Sequence, residues 1–159
     1  MDFFTADLYD QYGESLQVVE PIFGNYGGKK CFSGQMVTVK CHEDNSLVAE
    51  LVKTPGKGKV MVVDGGGSLR RALLGDNLAK LAVENNWEGI VIYGCFRDSV
   101  EISTLDLGLK ALATNPAKTE KKNQGEKNLV LKFAEATFTP GEYLYADQDG
   151  IVLSQTPLL

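Results

Sequence analysis

The chain has 159 residues, 43% of them hydrophobic and 23% charged, which is the composition of a single soluble globular domain (residues 1–159); no apolar run approaches the roughly 18 residues of a membrane span. A formal net charge of -5 argues against direct binding to a nucleic-acid backbone and leaves a small molecule, a metal ion or a basic protein as partner. Three cysteines, Cys31, Cys41 and Cys95, are odd in number and lack CxxC spacing, so free buried thiols are expected. "MDFFTADLYD" is no secretory signal, so the expected address is the cytoplasm.

In chain order, Thr5 to Tyr12 reads as a short amphipathic helix with Thr5 as N-cap. "VVEPIFGNYGGKK" then breaks regular structure with Pro21 and three glycines. Gln35 to Cys41 alternates, Met36, Thr38 and Lys40 against Gln35, Val37, Val39 and Cys41, as a half-buried strand does. "EDNSLVAELVKTP" follows as a helix ending before Pro55. "GKVMVVDGGG" is a buried strand running into a glycine loop, "SLRRALLGDNLAKLAVENN" is helical in residue choice, and "WEGIVIYG" is a second buried strand with its own glycine loop at Gly94. The order strand, loop, helix, strand predicts a βαβ unit with parallel pairing, whose ligands gather at the carboxyl ends of the strands. "NPAKTEKKNQGEKN" reads as a solvated surface loop, and the last segment as short strands joined by turns at Pro140-Gly141 and Asp149-Gly150.

One imidazole, His42, lies past a strand end, where a surface histidine is expected; histidine base chemistry is therefore set aside in favour of carboxylates, arginine or a metal. "VVDGGGSLRRAL" matches neither GxGxxG nor GxxxxGK[ST], so it is a weak phosphate signal. The stretch "GDNLAKLAVENNWEGIVIYGCFRD" carries more. Asp76 begins a helical pattern, so Gly75, Asp76 and Asn77 form a first turn whose backbone N–H groups attract carboxylates; a plain N-cap is the alternative for Asp76. Arg97 and Asp98 leave the following strand, with a surface ion pair and an N-cap as their alternatives. Because the helix follows the loop leaving the preceding strand, its start lies at the same sheet edge as Arg97, and the three charges can meet.

These residues carry a resemblance. "VVEPIFGNYGGK", "VVDGGGSLRRAL", "WEGIVIYG" and "YLYADQDGIVLS" are similar to short members of the RraA family, which holds the regulators of ribonuclease activity A and the class II 4-hydroxy-4-methyl-2-oxoglutarate aldolases. The family's aldolase hallmark is an Asp, twenty residues, then Arg-Asp, and Asp76, Arg97 and Asp98 fit it. The resemblance implies an α/β domain with the β/β/α layering of a swivelling domain, assembled as a homotrimer.

It further implies that Asp98 holds a divalent metal such as Mg2+, that Arg97 pairs with keto-acid oxygens, and that Gly75, Asp76, Asn77 and Leu78 present N–H groups to a substrate carboxylate, with Asp76 also orienting a water. The implied reaction cleaves 4-hydroxy-4-methyl-2-oxoglutarate to two pyruvates through an enolate, with oxaloacetate decarboxylation as a second activity. Longer aldolases of the family add an acid from a neighbouring subunit's C-terminal segment, which this sequence lacks. The alternative implied by the resemblance is a protein that binds and inhibits an endoribonuclease without touching RNA.

Overall fold

Valine and isoleucine run without a polar break through "VMVV" and "IVI", and such runs are stable only where a sheet is covered on both faces. In the computed structural model, which describes residues 2–159, they lie at the centre of the main sheet. The elements are α1 (Thr5–Tyr12), β1 (Gln17–Val18), β2 (Gly24–Asn25), β3 (Phe32–Lys40), α2 (Ser46–Leu51), β4 (Lys59–Asp64), α3 (Asp76–Glu84), β5 (Gly89–Phe96) and α4 (Ser99–Ile102). They continue with β6 (Gly108–Thr114), β7 (Glu126–Lys127), β8 (Leu131–Phe133), β9 (Ala136–Phe138), β10 (Tyr143–Ala146) and β11 (Ile151–Ser154).

β3, β4, β5 and β6 pair in parallel in that order, each reached through a short helix, so the βαβ expectation holds for three successive units. β10, β11 and β1 extend the sheet antiparallel beyond β3, and β2 closes the other edge against β6. Val48 and Val52 from α2, Ala79 and Ala82 from α3 and Ile102 from α4 pack with Met61, Val63, Ile90 and Ile92 on one face. The β8–β9 hairpin covers the other, placing Leu131, Phe133 and Phe138 on Val60, Val62 and Val91. Each fully buried Val, Ile, Leu, Met or Phe among them contributes on the order of 2 kcal/mol. The result is one mixed α/β domain, hairpin on sheet on helices.

Several local expectations need correction. α1 forms where expected, but Phe4 is its N-cap position and Thr5 caps nothing. The Asp147 carboxylate, from the far end of the chain, accepts the Thr5 N–H at 2.8 Å and its hydroxyl at 2.7 Å instead. β3 is buried on both faces rather than half-buried, since Met36 and Thr38 meet the hairpin side while Val39 joins the helical side. The helix read from "SLRRALLGDNLAKLAVENN" starts only at Asp76. Before it, Leu73 donates to Cys95 O and Ala72 to Ala117 O, so this part runs extended beside β5. Gly94 lies inside β5, at a register shift between Ile92 and Cys95, not in a loop. Cys41 and Cys95 are buried and free as expected, whereas Cys31 is only half-buried. Among the described residues no helix is long and apolar enough to cross a membrane.

Candidate functional site

All four parallel strands end at the same edge, and the segments that leave them enclose one cleft of about 250 Å³. Asn45 comes from beyond β3, Ala72 from beyond β4, Arg97 and Asp98 from beyond β5, and Lys118, Thr119 and Lys121 from beyond β6. Gly75, Asp76, Asn77 and Leu78, the start of α3, complete its lining. Such strand ends are where the fold can place loops around a ligand without disturbing the core.

The start of α3 is held by Asp98. Its Oδ2 accepts the Asp76 N–H at 2.9 Å, so Asp98 supplies the cap that an N-cap side chain would otherwise give. Gly75 occupies the N-cap position, and a side chain there would bring a Cβ to 3.0 Å from Asp98 Oδ2 and 3.4 Å from Arg97 Nε. Glycine therefore lets the α3 start, Arg97 and Asp98 close on one another. Asp76 is the first helical residue rather than the cap. Its carboxylate lies 3.6 Å from the Lys80 ammonium, which also meets Glu101 at 3.1 Å.

The surface ion pair offered as an alternative for Arg97 does not form: its guanidinium makes no salt bridge among the described residues. Its one side-chain hydrogen bond among the described residues is to the Pro116 carbonyl, at 3.4 Å, while its backbone N–H is tied to Leu74 O. Asp98 does occupy the N-cap position of α4, but its side chain caps α3 instead of its own helix. It sits in the left-handed backbone region at φ 62°, which Asp tolerates better than most residues. With the Asp76 N–H committed to Asp98, the N–H groups of Asn77 and Leu78 are those left without an intrahelical partner at the helix start. A carboxylate there would meet the positive end of the helix dipole.

The opposite wall was not legible as a site. Asn45 Oδ1 accepts the Thr119 hydroxyl and the Lys121 ammonium, both at 2.8 Å. Asp44 accepts the N–H groups of Ser46, Lys122 and Gln124 and the Ser46 hydroxyl, pinning the Lys-rich segment onto the start of α2. Burial pushes the Asp44 carboxyl up, but the hydrogen bonds from Ser46, Gln124 and Lys122 outweigh it and hold the group at about 2. The segment read as a solvated loop is therefore anchored, and β7 within it pairs with β3. Its lysines gave no periodic signal; only the "DN" before a helix pointed there, and that pair reads equally well as a cap.

Other reactive side chains lie apart from this cleft. His42 is exposed at the end of β3, as expected, 3.5 Å from Glu43. Burial, followed by the nearby carboxylates of Asp44 and Asp64, pushes the Cys41 thiol up to about 12, which keeps it protonated at neutral pH.

The donor set of the cleft suits a hard divalent cation. Asp98 spends Oδ2 on the Asp76 N–H, and its Oδ1 is free of protein donors among the described residues. Asp98 is exposed to water, and Asp76 shares the cleft. A Mg2+-like ion takes one or two carboxylates and keeps several waters. Among the described residues no group of three or more His, Cys, Asp or Glu is placed to hold a metal ion.

Comparison with known proteins identifies the family. A family described as RraA-like, Aldolase/RraA, matches residues 5–153. A protein of Ectopseudomonas mendocina that bears the name "Putative 4-hydroxy-4-methyl-2-oxoglutarate aldolase" is 60% identical over 158 residues, covering 99% of this chain and 98% of that protein. A Geobacillus kaustophilus structure named S-adenosylmethionine: 2-dimethylmenaquinone methyltransferase superposes with a TM-score of 0.96 at 47% identity, over 98% of this chain and 97% of that one. The RNA-processing inhibitor RraA from Thermus thermophilis superposes with a TM-score of 0.95 at 42% identity, over 100% of this chain and 96% of its own. The two solved structures bear different names and share one fold, so the fold leaves the activity to the site. With one family matched across nearly the whole sequence and relatives this similar end to end, the chain belongs to the RraA-like family.

Proposed function

We propose that this protein is a divalent-metal-dependent lyase that cleaves 4-hydroxy-4-methyl-2-oxoglutarate to two molecules of pyruvate and also decarboxylates oxaloacetate. The observation that carries the reading is that Asp76, Asp98 and Arg97, which forms no salt bridge among the described residues, line one cleft with the start of α3. The name borne by the relative at 60% identity supports it.

In this reading Asp98, with Asp76 nearby, holds the cation, and Mg2+ fits the donor set. When bound, the cation supplies Lewis-acid polarisation of the substrate's keto oxygen. The N–H groups of Asn77 and Leu78 hold the carboxylate next to the keto group. Arg97 pairs with the keto-acid oxygens through its planar fork and offsets the negative charge that develops there. The Asp76 carboxylate orients a water that accepts the proton of the 4-hydroxyl. As that proton leaves, the C3–C4 bond breaks. Its electron pair passes into the enolate of one pyruvate, C4 becomes the keto carbon of the other, and protonation at C3 completes the first. Loss of CO2 from oxaloacetate leaves the same enolate, so one arrangement of charge serves both reactions.

The test is a coupled pyruvate assay on the purified protein with each substrate, in Mg2+ and in EDTA. Turnover that requires Mg2+ is expected, and no pyruvate from either substrate in Mg2+ ends the proposal. We further propose that the chain assembles as a homotrimer; exposed Phe4, Tyr9 and Val18 offer apolar surface for contact. Sedimentation equilibrium is then expected to return three times the 17.3 kDa chain mass, and a monomer mass would exclude the trimer.

The likeness to the solved RNA-processing inhibitor favours a second reading, in which this protein binds and restrains an endoribonuclease without touching RNA. A net charge of -5 suits a basic segment on such a partner. Inhibition by that route survives EDTA, whereas the lyase does not, so the same preparations separate the two.

A further inference from the structure

The glycine-rich stretch after β4 is no anion cradle. The Gly65 and Gly67 N–H groups both donate to Tyr93 O, and Gly66 donates to Asp64 Oδ1, so the loop's amides are spent inside the protein. What the stretch does is turn the chain. Gly66 and Gly67, at φ 70° and 72°, take a left-handed backbone that a side chain would strain. Beyond them the chain runs from Leu69 to Leu74 between the end of β5 and the segment that follows β6, and Ala72 bridges to both Cys95 and Lys118.

Asn115, the first residue after β6, fastens these segments together. Its backbone N–H donates to Phe96 O at 2.9 Å, immediately before Arg97. Its Oδ1 accepts the Ala117 N–H at 2.8 Å, and its Nδ2 donates to Leu69 O at 2.7 Å. A backbone N–H can only donate and a carbonyl only accept, so these two partners fix which way the amide faces. The bond to Ala117 closes a turn around Pro116, whose ring already restrains φ. Pro116 has no N–H with which to anchor its own position, so its neighbours hold it: Asn115 on one side and, on the other, Ala117, whose carbonyl accepts the Ala72 N–H at 2.7 Å. The Pro116 carbonyl fixed in this way is the one that accepts Arg97 Nη1 at 3.4 Å. Because Arg97 forms no salt bridge among the described residues, that bond is what orients its guanidinium.

We infer that Asn115 is a positioning residue: through the turn that holds the Pro116 carbonyl, it aims the Arg97 guanidinium in the strand-end cleft. This role rests on the lyase reading, in which Arg97 offsets the charge that develops on the keto-acid oxygens. One of the five guanidinium N–H groups goes to Pro116, and four remain for a substrate. A planar fork stabilises developing charge best when its plane is set beforehand, because a long side chain that must first be ordered gives up part of that stabilisation as entropy.

The test follows the Arg97 side chain directly and through turnover. Asn115→Ala removes both side-chain bonds, whereas Asn115→Asp keeps an acceptor for the Ala117 N–H and with it the turn. In isotope-labelled protein, the heteronuclear NOE of the Arg97 Nε–H, identified as the signal lost in Arg97→Lys, is expected to be high in the parent and in Asn115→Asp and to fall in Asn115→Ala. In the coupled pyruvate assay with oxaloacetate and Mg2+, Asn115→Ala is expected to lower kcat about tenfold with KM held within about threefold, and Asn115→Asp to stay within about threefold of the parent in both. Should Asn115→Ala fail to fold, Asn115→Gln, whose amide is displaced by one methylene from the Ala117 N–H, has the same expected outcome. A low Arg97 NOE in the parent, an NOE unchanged in Asn115→Ala, or an NOE that falls while kcat does not, overturns the positioning role and leaves the lyase reading standing. Equal losses in Asn115→Ala and Asn115→Asp overturn it too, since the turn survives in only one of them. No pyruvate from the parent overturns the lyase reading, and the positioning role with it.

Discussion

Asp98→Asn is expected to lower pyruvate release by a factor on the order of 10³ while leaving thermal stability close to that of the parent. Asp98 has two oxygens for two jobs: Oδ2 caps α3 through the Asp76 N–H, and Oδ1, with no protein donor among the described residues, is left for the cation in the proposed reaction. Asn keeps an oxygen for the cap and tolerates the left-handed backbone at φ 62°, but it removes the charge that a divalent cation needs. Alanine is the less informative change. It gives up the cap, at about 1 kcal/mol, and it lacks the short polar side chain that lets Asp and Asn tolerate the left-handed backbone. Asp98→Ala should therefore lose both activity and stability. The coupled pyruvate assay and urea denaturation separate the two effects. An Asp98→Asn protein that turns over within tenfold of the parent would show that the carboxylate does not hold the cation, and the proposed mechanism would fall.

The parts of this arrangement that could be read in advance are those set by local pattern. Unbroken apolar runs marked β4 and β5, and the intervening amphipathic stretch marked α3; together they required Asp76 to start its helix near the exit of β5. What escaped depends on partners distant in sequence. Leu73 and Leu74 look helical by residue type, but they lie beside β5 and bond to Cys95 and Arg97 there, a pairing no local window contains. β3 alternates like a surface strand because its second cover, the β8–β9 hairpin, comes from more than ninety residues further along. Thr5 looked like a cap because the carboxylate that satisfies it, Asp147, is supplied 142 residues away. The Lys121 wall was hidden for the same reason: a lysine-rich segment is solvated in isolation, and two residues before α2, Asp44 and Asn45, give it a fixed position.

That fixed position gives the last prediction. Asp44→Ala is expected to destabilise the fold by about 2–4 kcal/mol, because the Ser46, Lys122 and Gln124 N–H groups lose their shared acceptor. Asp44→Asn keeps the shape and tests the charge. The Asp44 carboxyl titrates at about 2 in the folded chain against 3.8 ordinarily, so folding favours its ionised form. Its contribution is fully present above pH 3.8 and is lost as the pH falls toward 2. The stability difference between the parent and Asp44→Asn should therefore be constant from pH 7 to about 5 and shrink below about 4, measured by urea denaturation at each pH. A difference that is flat down to the lowest accessible pH would mean that the anion itself does not hold the segment. Because Asp44 touches neither Arg97 nor Asp98 but anchors the segment that brings Lys121 to the cleft, its loss should raise KM for the keto acid more than it lowers kcat. An equal fall in kcat and kcat/KM would instead place the damage at the reacting end of the cleft.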